Sequence, residues 1–288
     1  MTVPIGTAED KLLSRRRRLP VRAPIVVGAV LVTFVVIVAL AAPLIAPYAP
    51  NQQDLLHTLE PPLSPSHLLG TDQLGRDELS RVVWAARVDL LIAFGVTIVT
   101  FSFGTLVGVV AGTFGGIVDA ILMRIVDVFF AFPLVVLVLA IVAILGNGLI
   151  YLLIAMWAVT WVSYARIVRA EVMIVKHQDY VPAARALGYS RWRIMSRHII
   201  PNAIAPAIVY GTIDAVNNVS IGASLGFLGL GVQDPTAEWG KMISDSQAFI
   251  RTAWWLPVMP GIAIVIFGLG LSIIGDGLAD RLRDKSDA

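Results

Sequence analysis

With 288 residues, 57% of them hydrophobic and 15% charged, and a mean hydropathy of +0.79, the chain carries more apolar surface than a water-soluble domain can bury. The formal net charge of +2 says little about partners, because in such a chain the placement of charge matters more than its sum. Cysteine is absent and His57, His67, His177 and His198 are scattered, which excludes a disulfide framework and a thiolate metal site and leaves no metal-ligand spacing.

Residues 1–22 are polar and basic, with Arg15, Arg16, Arg17, Arg18 and Arg22 ahead of the first uncharged run. They read as a topology determinant in contact with anionic lipid, not as a nucleic-acid site. A spanning helix needs about 20 apolar residues to cross about 30 Å of hydrocarbon. The runs 23–53, 90–118, 128–165, 215–233 and 252–275 qualify. For the first, a cleaved secretory signal is the rival reading, since Ala39-Leu40-Ala41 resembles a cleavage site, but the run continues to Ile45 and is long enough to span.

The stretch from Pro47 to His67, rich in Pro and Leu, is expected to lie irregularly on the outer face. Residues 69–77, Leu-Gly-Thr-Asp-Gln-Leu-Gly-Arg-Asp, then predict a structured elbow in which Thr71 or Asp72 caps a short helix and Gly75 permits a sharp turn. Span two carries Gly104, Gly108, Gly112, Gly115 and Gly116, and span five carries Gly222, Gly226, Gly229 and Gly231. Small residues four apart let helix backbones approach closely in lipid, so these are packing faces.

The run 128–165 is about twice the length a span needs and has Gly146-Asn147-Gly148 at its middle, which predicts two helices and a tight turn. That makes six spans. Arg124 and Asp127, one turn apart at the cytoplasmic start of span three, are expected to form an ion pair closing the inner mouth. Trp157, Trp161, Trp254 and Trp255 read as packing and interfacial-belt residues. Residues 166–197 carry seven basic and two acidic residues, whereas 54–89 and 234–251 share five basic ones. This bias puts both termini and the 166–197 segment in the cytoplasm.

Between spans four and five runs Asp179-Tyr180-Val181-Pro182-Ala183-Ala184-Arg185-Ala186-Leu187-Gly188. Pro182 suits a first helical turn, the alanines are strong helix formers and Gly188 suits the C-terminal end, so a helix of about two turns is expected at the cytoplasmic surface. Its alanines give a narrow face that can enter a groove on another protein, with Arg185 and Tyr189 at the rim. Further on, Asp214 is the one acid well inside a span, and helical spacing puts it on one face with Asn217 and Asn218. These three either line the solute pathway or bond to neighbouring helices. No glycine-rich run ends in Gly-Lys-Ser or Gly-Lys-Thr to cradle nucleotide phosphates, and no catalytic constellation appears.

Ala183, Ala184, Gly188, Ile200 and Pro201 resemble the cytoplasmic signature of the permeases of binding-protein-dependent ABC importers: Glu-Ala-Ala, three residues, Gly, nine residues, Ile-x-Leu-Pro. Pro182 replaces the Glu, His198 the Ile and Ile200 the Leu. Residues 69–77 with Ser80-Arg81, the run 197–202 and Phe227-Leu-Gly-Leu-Gly-Val232 resemble the C-type permease of the dipeptide, oligopeptide and nickel importers. The resemblance implies an all-α, polytopic chain with the type I importer permease fold, in the cytoplasmic (inner) membrane. Its expected parts are a tail at 1–22, a first transmembrane helix and elbow at 23–89, a permease core at 90–279 and a tail at 280–288. It further implies that Pro182, Ala183, Ala184, Arg185 and Gly188 dock on an ATPase. The implied partners are a homologous second permease, two ATPase subunits that bind ATP and magnesium, and an extracytoplasmic solute-binding protein. No cofactor, metal or enzymatic step is then expected in this chain, and the solute is a dipeptide or oligopeptide, with nickel or another small solute as the alternative. A secondary transporter working alone is disfavoured by the few acids within the spans.

Overall fold

A chain crossing hydrocarbon has to satisfy its own backbone groups, and in this computed structural model, which describes residues 22–286, the long apolar runs are helical. The basic tail lies outside the described residues except for Arg22, which opens the first helix. Four helices are long and apolar enough to span, and two bent pairs bring the number to six if each pair is one span.

Helix α1 (Arg22–Leu40) is followed by a short α2 (Ala42–Ile45) and an irregular elbow. The elbow differs from expectation in one respect: Thr71 and Asp72 cap no short helix. Thr71 bridges His57 O and the Glu60 N–H, and Asp72 accepts from the Leu74 and Arg76 N–H groups. The cap is Asp77, which starts α3 (Glu78–Phe114) by accepting from the Ser80 N–H at 2.8 Å and its hydroxyl at 2.7 Å. Gly75 does make the sharp turn, at φ +69°, with the Asp54 carbonyl where a side chain would sit. At 37 residues, α3 is about 55 Å long and projects past the bilayer.

Two glycines of positive φ, Gly115 and Gly116, separate α3 from α4 (Gly116–Phe130), and α5 (Leu134–Leu145) follows at an angle of 85°. The run 128–165 reads as two helices joined at Gly146-Asn147-Gly148, and the first of them has a further break. It falls at residues 131–133 because Pro133 has no N–H to donate and disfavours helix at Phe132. Gly146 and Gly148, at φ +109° and +127°, form the predicted turn into α6 (Leu149–Val175). The predicted cytoplasmic helix is α7 (Tyr180–Ala186). After α8 (Arg191–Ile194) comes a wide π turn at Met195–Ile199, then α9 (Ile200–Ala203) and α10 (Ala205–Phe227). Span five therefore starts earlier and ends sooner than the run 215–233. Residues 192–203 and α10 meet at 49°. The outer loop carries α11 (Trp239–Asp245), and α12 (Trp255–Ser286) ends the described chain, so that residues 280–286 continue the last span as helix.

Helix α3 packs on α6 and α10, while α1 lies against α12 and α3 as a peripheral addition. The α3–α6 contact is made through glycine. A Cβ on Gly104 would collide with the Trp161 carbonyl, one on Gly108 would sit 2.6 Å from the Ala165 carbonyl, and one on Gly112 would sit 2.7 Å from Val172. Between α1 and α12, Gly28 and Gly270 approach in the same way. Gly104→Ala gains helix propensity of about 0.8–1.0 kcal/mol yet is expected to destabilise by roughly 1–3 kcal/mol, because backbone on the facing helix must move. Gly261→Ala, where nothing lies within 4 Å, is expected to be neutral or stabilising. Thermal melting in detergent compares the two, and equal melting points would remove the close-packing account.

Candidate functional site

The segment around α7 is held by its own chain on one side and open on the other. Val181 and Ala184 are buried against Val175, Ile194, Met195 and Ile199. Pro182, Ala183, Arg185, Ala186 and Gly188 are exposed, and Leu187 is 75% exposed. Ala183 and Ala184 thus do not form one outward face: at 5% exposure, Ala184 points into the permease, as successive residues on a helix must diverge by about 100°. Gly188, at φ +78°, closes the helix, with its N–H on the Arg185 carbonyl and the Tyr189 N–H on the Ala184 carbonyl. Behind the segment is a cavity of about 290 Å³ lined by Thr113, Phe114, Arg185, Tyr189, Ile194 and Ile199, which separates α7 from the C-terminal end of α3.

Arg124 and Asp127 do not pair. Arg124 is exposed and makes no ion pair among the described residues. Asp127 instead accepts from Arg166 Nη2 at 2.8 Å, and that guanidinium lies 3.9 Å from the centre of the Phe130 ring. A second pair, Asp119 with Arg169, is bidentate. Both tie α4 to α6. The break at residues 131–133 lets α4 turn so that its acids reach α6, a contact that local spacing could not reveal. Lys176 Nζ adds a bond of 3.0 Å to the Gly112 carbonyl at the end of the α3–α6 contact.

At mid-membrane, Asp214 Oδ2 accepts from Tyr164 Oη at 2.9 Å, Asn218 Nδ2 at 3.1 Å and Thr97 Oγ1 at 3.4 Å, and Asn218 Nδ2 also reaches Thr97 Oγ1 at 3.0 Å. The carboxylate and Asn218 are buried where α3, α6 and α10 meet. Asn217 is not part of this cluster; it faces outward. Nothing in the local pattern marks Thr97 and Tyr164, which are distant along the chain and ordinary in composition.

At the opposite end of α3, Arg76 Nε bonds Asp72 Oδ2 at 2.6 Å, Arg81 Nε lies 3.7 Å from the same oxygen, and His67 Nδ1 lies 2.9 Å from Asp77. Glu238 caps α11 through the Gly240 and Lys241 N–H groups, each at 2.8 Å, and burial pushes its carboxyl above the usual range. The Trp239 N–H bonds Asp89 Oδ2 at 3.1 Å, which fastens the outer loop to α3. Among the tryptophans read as packing residues, Trp157 donates to the Gly95 carbonyl, Trp161 to Ala158 and the buried Trp255 to Thr71, while Trp254 is exposed.

Residues 104–286 match the family described as binding-protein-dependent transport system inner membrane component. Residues 17–62 match the N-terminal transmembrane domain of oligopeptide transport permease C. The dipeptide transport system permease protein DppC of Alkalihalophilus pseudofirmus is 40% identical over 260 residues, covering 90% of this chain and 85% of its own. The di/tripeptide transport system permease protein DppC of Pseudomonas aeruginosa is 41% identical over 263 residues, with 90% and 87% covered. The dipeptide transport system permease protein DppC of Escherichia coli is 42% identical over 265 residues, with 90% and 88% covered.

Asp214→Leu takes the shared acceptor from the Tyr164 hydroxyl, the Thr97 hydroxyl and one N–H of Asn218, whose amide keeps its bond to Thr97, and each unpaired buried group costs about 1–3 kcal/mol. Tyr164→Phe removes one donor and is expected to cost about 1 kcal/mol. The melting temperature should fall more for Asp214→Leu than for Tyr164→Phe, and a melting point for Asp214→Leu equal to that of the parent would show that the cluster does not hold the three helices.

Proposed function

The chain belongs to the inner membrane components of binding-protein-dependent transport systems, and on that premise we propose that it is one permease half of an ATP-driven importer of dipeptides or oligopeptides. It is a membrane transport subunit and not an enzyme. The peptide reading is supported by the permeases it resembles, which are named for dipeptide and di/tripeptide transport and match over nine-tenths of this chain. Its working assembly, on this reading, contains a homologous second permease, two ATPase subunits that bind ATP and magnesium, and an extracytoplasmic binding protein. Both termini and α7 face the cytoplasm, in keeping with the basic bias of residues 166–197.

The observation that carries the coupling role is the two-sided packing of α7. Its exposed side, Pro182, Ala183, Arg185, Ala186, Leu187 and Gly188, offers a small apolar surface with one charge at the edge. Its buried side, Val181 and Ala184, is keyed into the same cluster as the ends of α6 and of the α8–α9 segment. An ATPase docked on the first side displaces the second, and the inward-facing and outward-facing arrangements exchange as nucleotide closes the ATPases.

Two substitutions separate these sides. Ala183→Trp puts bulk on the docking face and is expected to release the ATPase or leave it hydrolysing ATP without transport, with the permease melting normally. Ala184→Trp is expected to destabilise the permease itself by roughly 1–3 kcal/mol, since it overfills a packed site. Co-purification, melting and uptake of a labelled dipeptide in vesicles containing the assembled importer read both. Full coupling in the Ala183→Trp complex would remove α7 from the transmission path. Orientation is tested with Gly188→Cys in the cysteine-free chain: an impermeant thiol reagent is expected to label it in inverted vesicles and not in intact cells.

A further inference from the structure

The outward faces of the spans are not alike. Helix α1 exposes Val26, Val30, Phe34 and Ile37, and α12 exposes Val258, Ile262, Val265 and Leu269, faces that are apolar save for one hydroxyl each, Thr33 and Ser272. Helix α10 exposes Ile213, Asn217, Ser220, Ser224 and Phe227. These positions are spaced by four, three, four and three residues, so they form one stripe along the helix. A lipid-facing stripe would put an amide and two hydroxyls into hydrocarbon.

The three polar groups differ in what they lack. The Ser220 and Ser224 hydroxyls donate to the carbonyls of Val216 and Ser220, at 3.0 and 2.7 Å, so the helix satisfies them without a neighbour. The Asn217 amide has no hydrogen-bond partner among the described residues, although it carries two donors and an acceptor. Its direction is fixed from behind: Asp214 and Asn218 are locked to Thr97 and Tyr164, so α10 cannot rotate Asn217 inward without breaking that cluster.

We propose that this stripe lines the aqueous route of the solute, and that Asn217 hydrogen-bonds the main chain of the peptide in transit. The route assignment rests on the exposed polar face alone; the ligand class rests on the peptide reading given above. Asn217 lies twelve residues along α10 from Ala205, about 18 Å, and Ser224 about 10 Å beyond it, so the stripe runs from mid-membrane to the outer mouth. A peptide offers N–H and C=O groups at every residue whatever its side chains, and an amide that can both donate and accept fits that repeating pattern. The stripe carries no charge. Contacts of this kind hold a solute weakly enough to let it leave, which passage demands.

The chain has no cysteine, so Asn217→Cys, Ser220→Cys and Ser224→Cys can be compared with the lipid-facing Val265→Cys in the assembled importer in vesicles. A small charged thiosulfonate is expected to label the three stripe positions at least tenfold faster than Val265→Cys, and a transported dipeptide with its binding protein is expected to slow labelling at Asn217→Cys. Stripe cysteines that stay unreactive toward the charged reagent in every nucleotide state, while a lipid-soluble maleimide reaches them or a partner helix covers them, would overturn the proposal. Labelling that another solute slows and the dipeptide does not would keep the route and reject the peptide reading. For the hydrogen bond itself, Asn217→Leu is expected to lower dipeptide uptake about tenfold, and Asn217→Ser less, in complexes assembled to equal yield. Normal uptake by Asn217→Leu would remove Asn217 as a ligand.

Discussion

In a bilayer, lipid tails are as apolar as leucine, so helices gain little by hiding apolar side chains from one another and are held by close packing and hydrogen bonds. Here that constraint falls on the contact between α3 and α6. Gly104, Gly108 and Gly112 bring the two backbones together over about two helical turns. Along the same contact the pair is pinned at three depths, by the Trp157 indole on the Gly95 carbonyl, by Thr97 and Tyr164 converging on Asp214, and by Lys176 on the Gly112 carbonyl. The last helical pair to rely on it is α10 and α4: one is registered against α3 and α6 by Asp214, the other against α6 by two ion pairs.

The two ends of the bundle are built differently. On the outer side, Asp72, Arg76, Arg81 and Asp77 are buried, and Glu238 and Asp89 fasten the outer loop from beneath. Breaking one partner of a buried pair is strongly destabilising, so this end is stiff. At the other end, the Asp127–Arg166 pair is exposed on both partners while the Asp119–Arg169 pair is half-buried, and Gly115 and Gly116 have open space around them. Exposed pairs are worth little and exchange easily.

Much of the fold was legible because lipid imposes simple rules. Apolar length located the spans, Gly146 and Gly148 marked a turn that only residues tolerant of positive φ could make, and Gly188 ended the cytoplasmic helix for the same reason. The break at residues 131–133 was present in the sequence as Pro133 but was masked by the apolar run around it. The pairing of Asp127 was misread because helical spacing favours Arg124, whereas the bend at Pro133 carries Asp127 to Arg166 on another helix. The candidate site was legible in its residues and not in their directions: Ala183 and Ala184, or Asn217 and Asn218, are neighbours in sequence yet face opposite surroundings, and only the tertiary contacts decide which.

Direction also decides how motion would pass through the molecule. If α7 were a free loop, a docked partner could move it without consequence for the spans. Val181 and Ala184 prevent this, because they pack with Val175 at the end of α6 and with Ile194, Met195 and Ile199 on the approach to α10. A push on Ala183 or Leu187 is therefore delivered to both helices together. The cavity beside Thr113 and Phe114 leaves room for that displacement before α3 is met. Beyond it, the Gly115–Gly116 turn can absorb a change of angle that a continuous helix would resist. With the Asp214 and Asn218 bonds kept, α10 does not rotate, and a rigid shift of the helix would carry its outward face with it. On the coupling proposed for α7, movement of that helix would reach Asn217, Ser220 and Ser224 as a change in their position and not in their orientation.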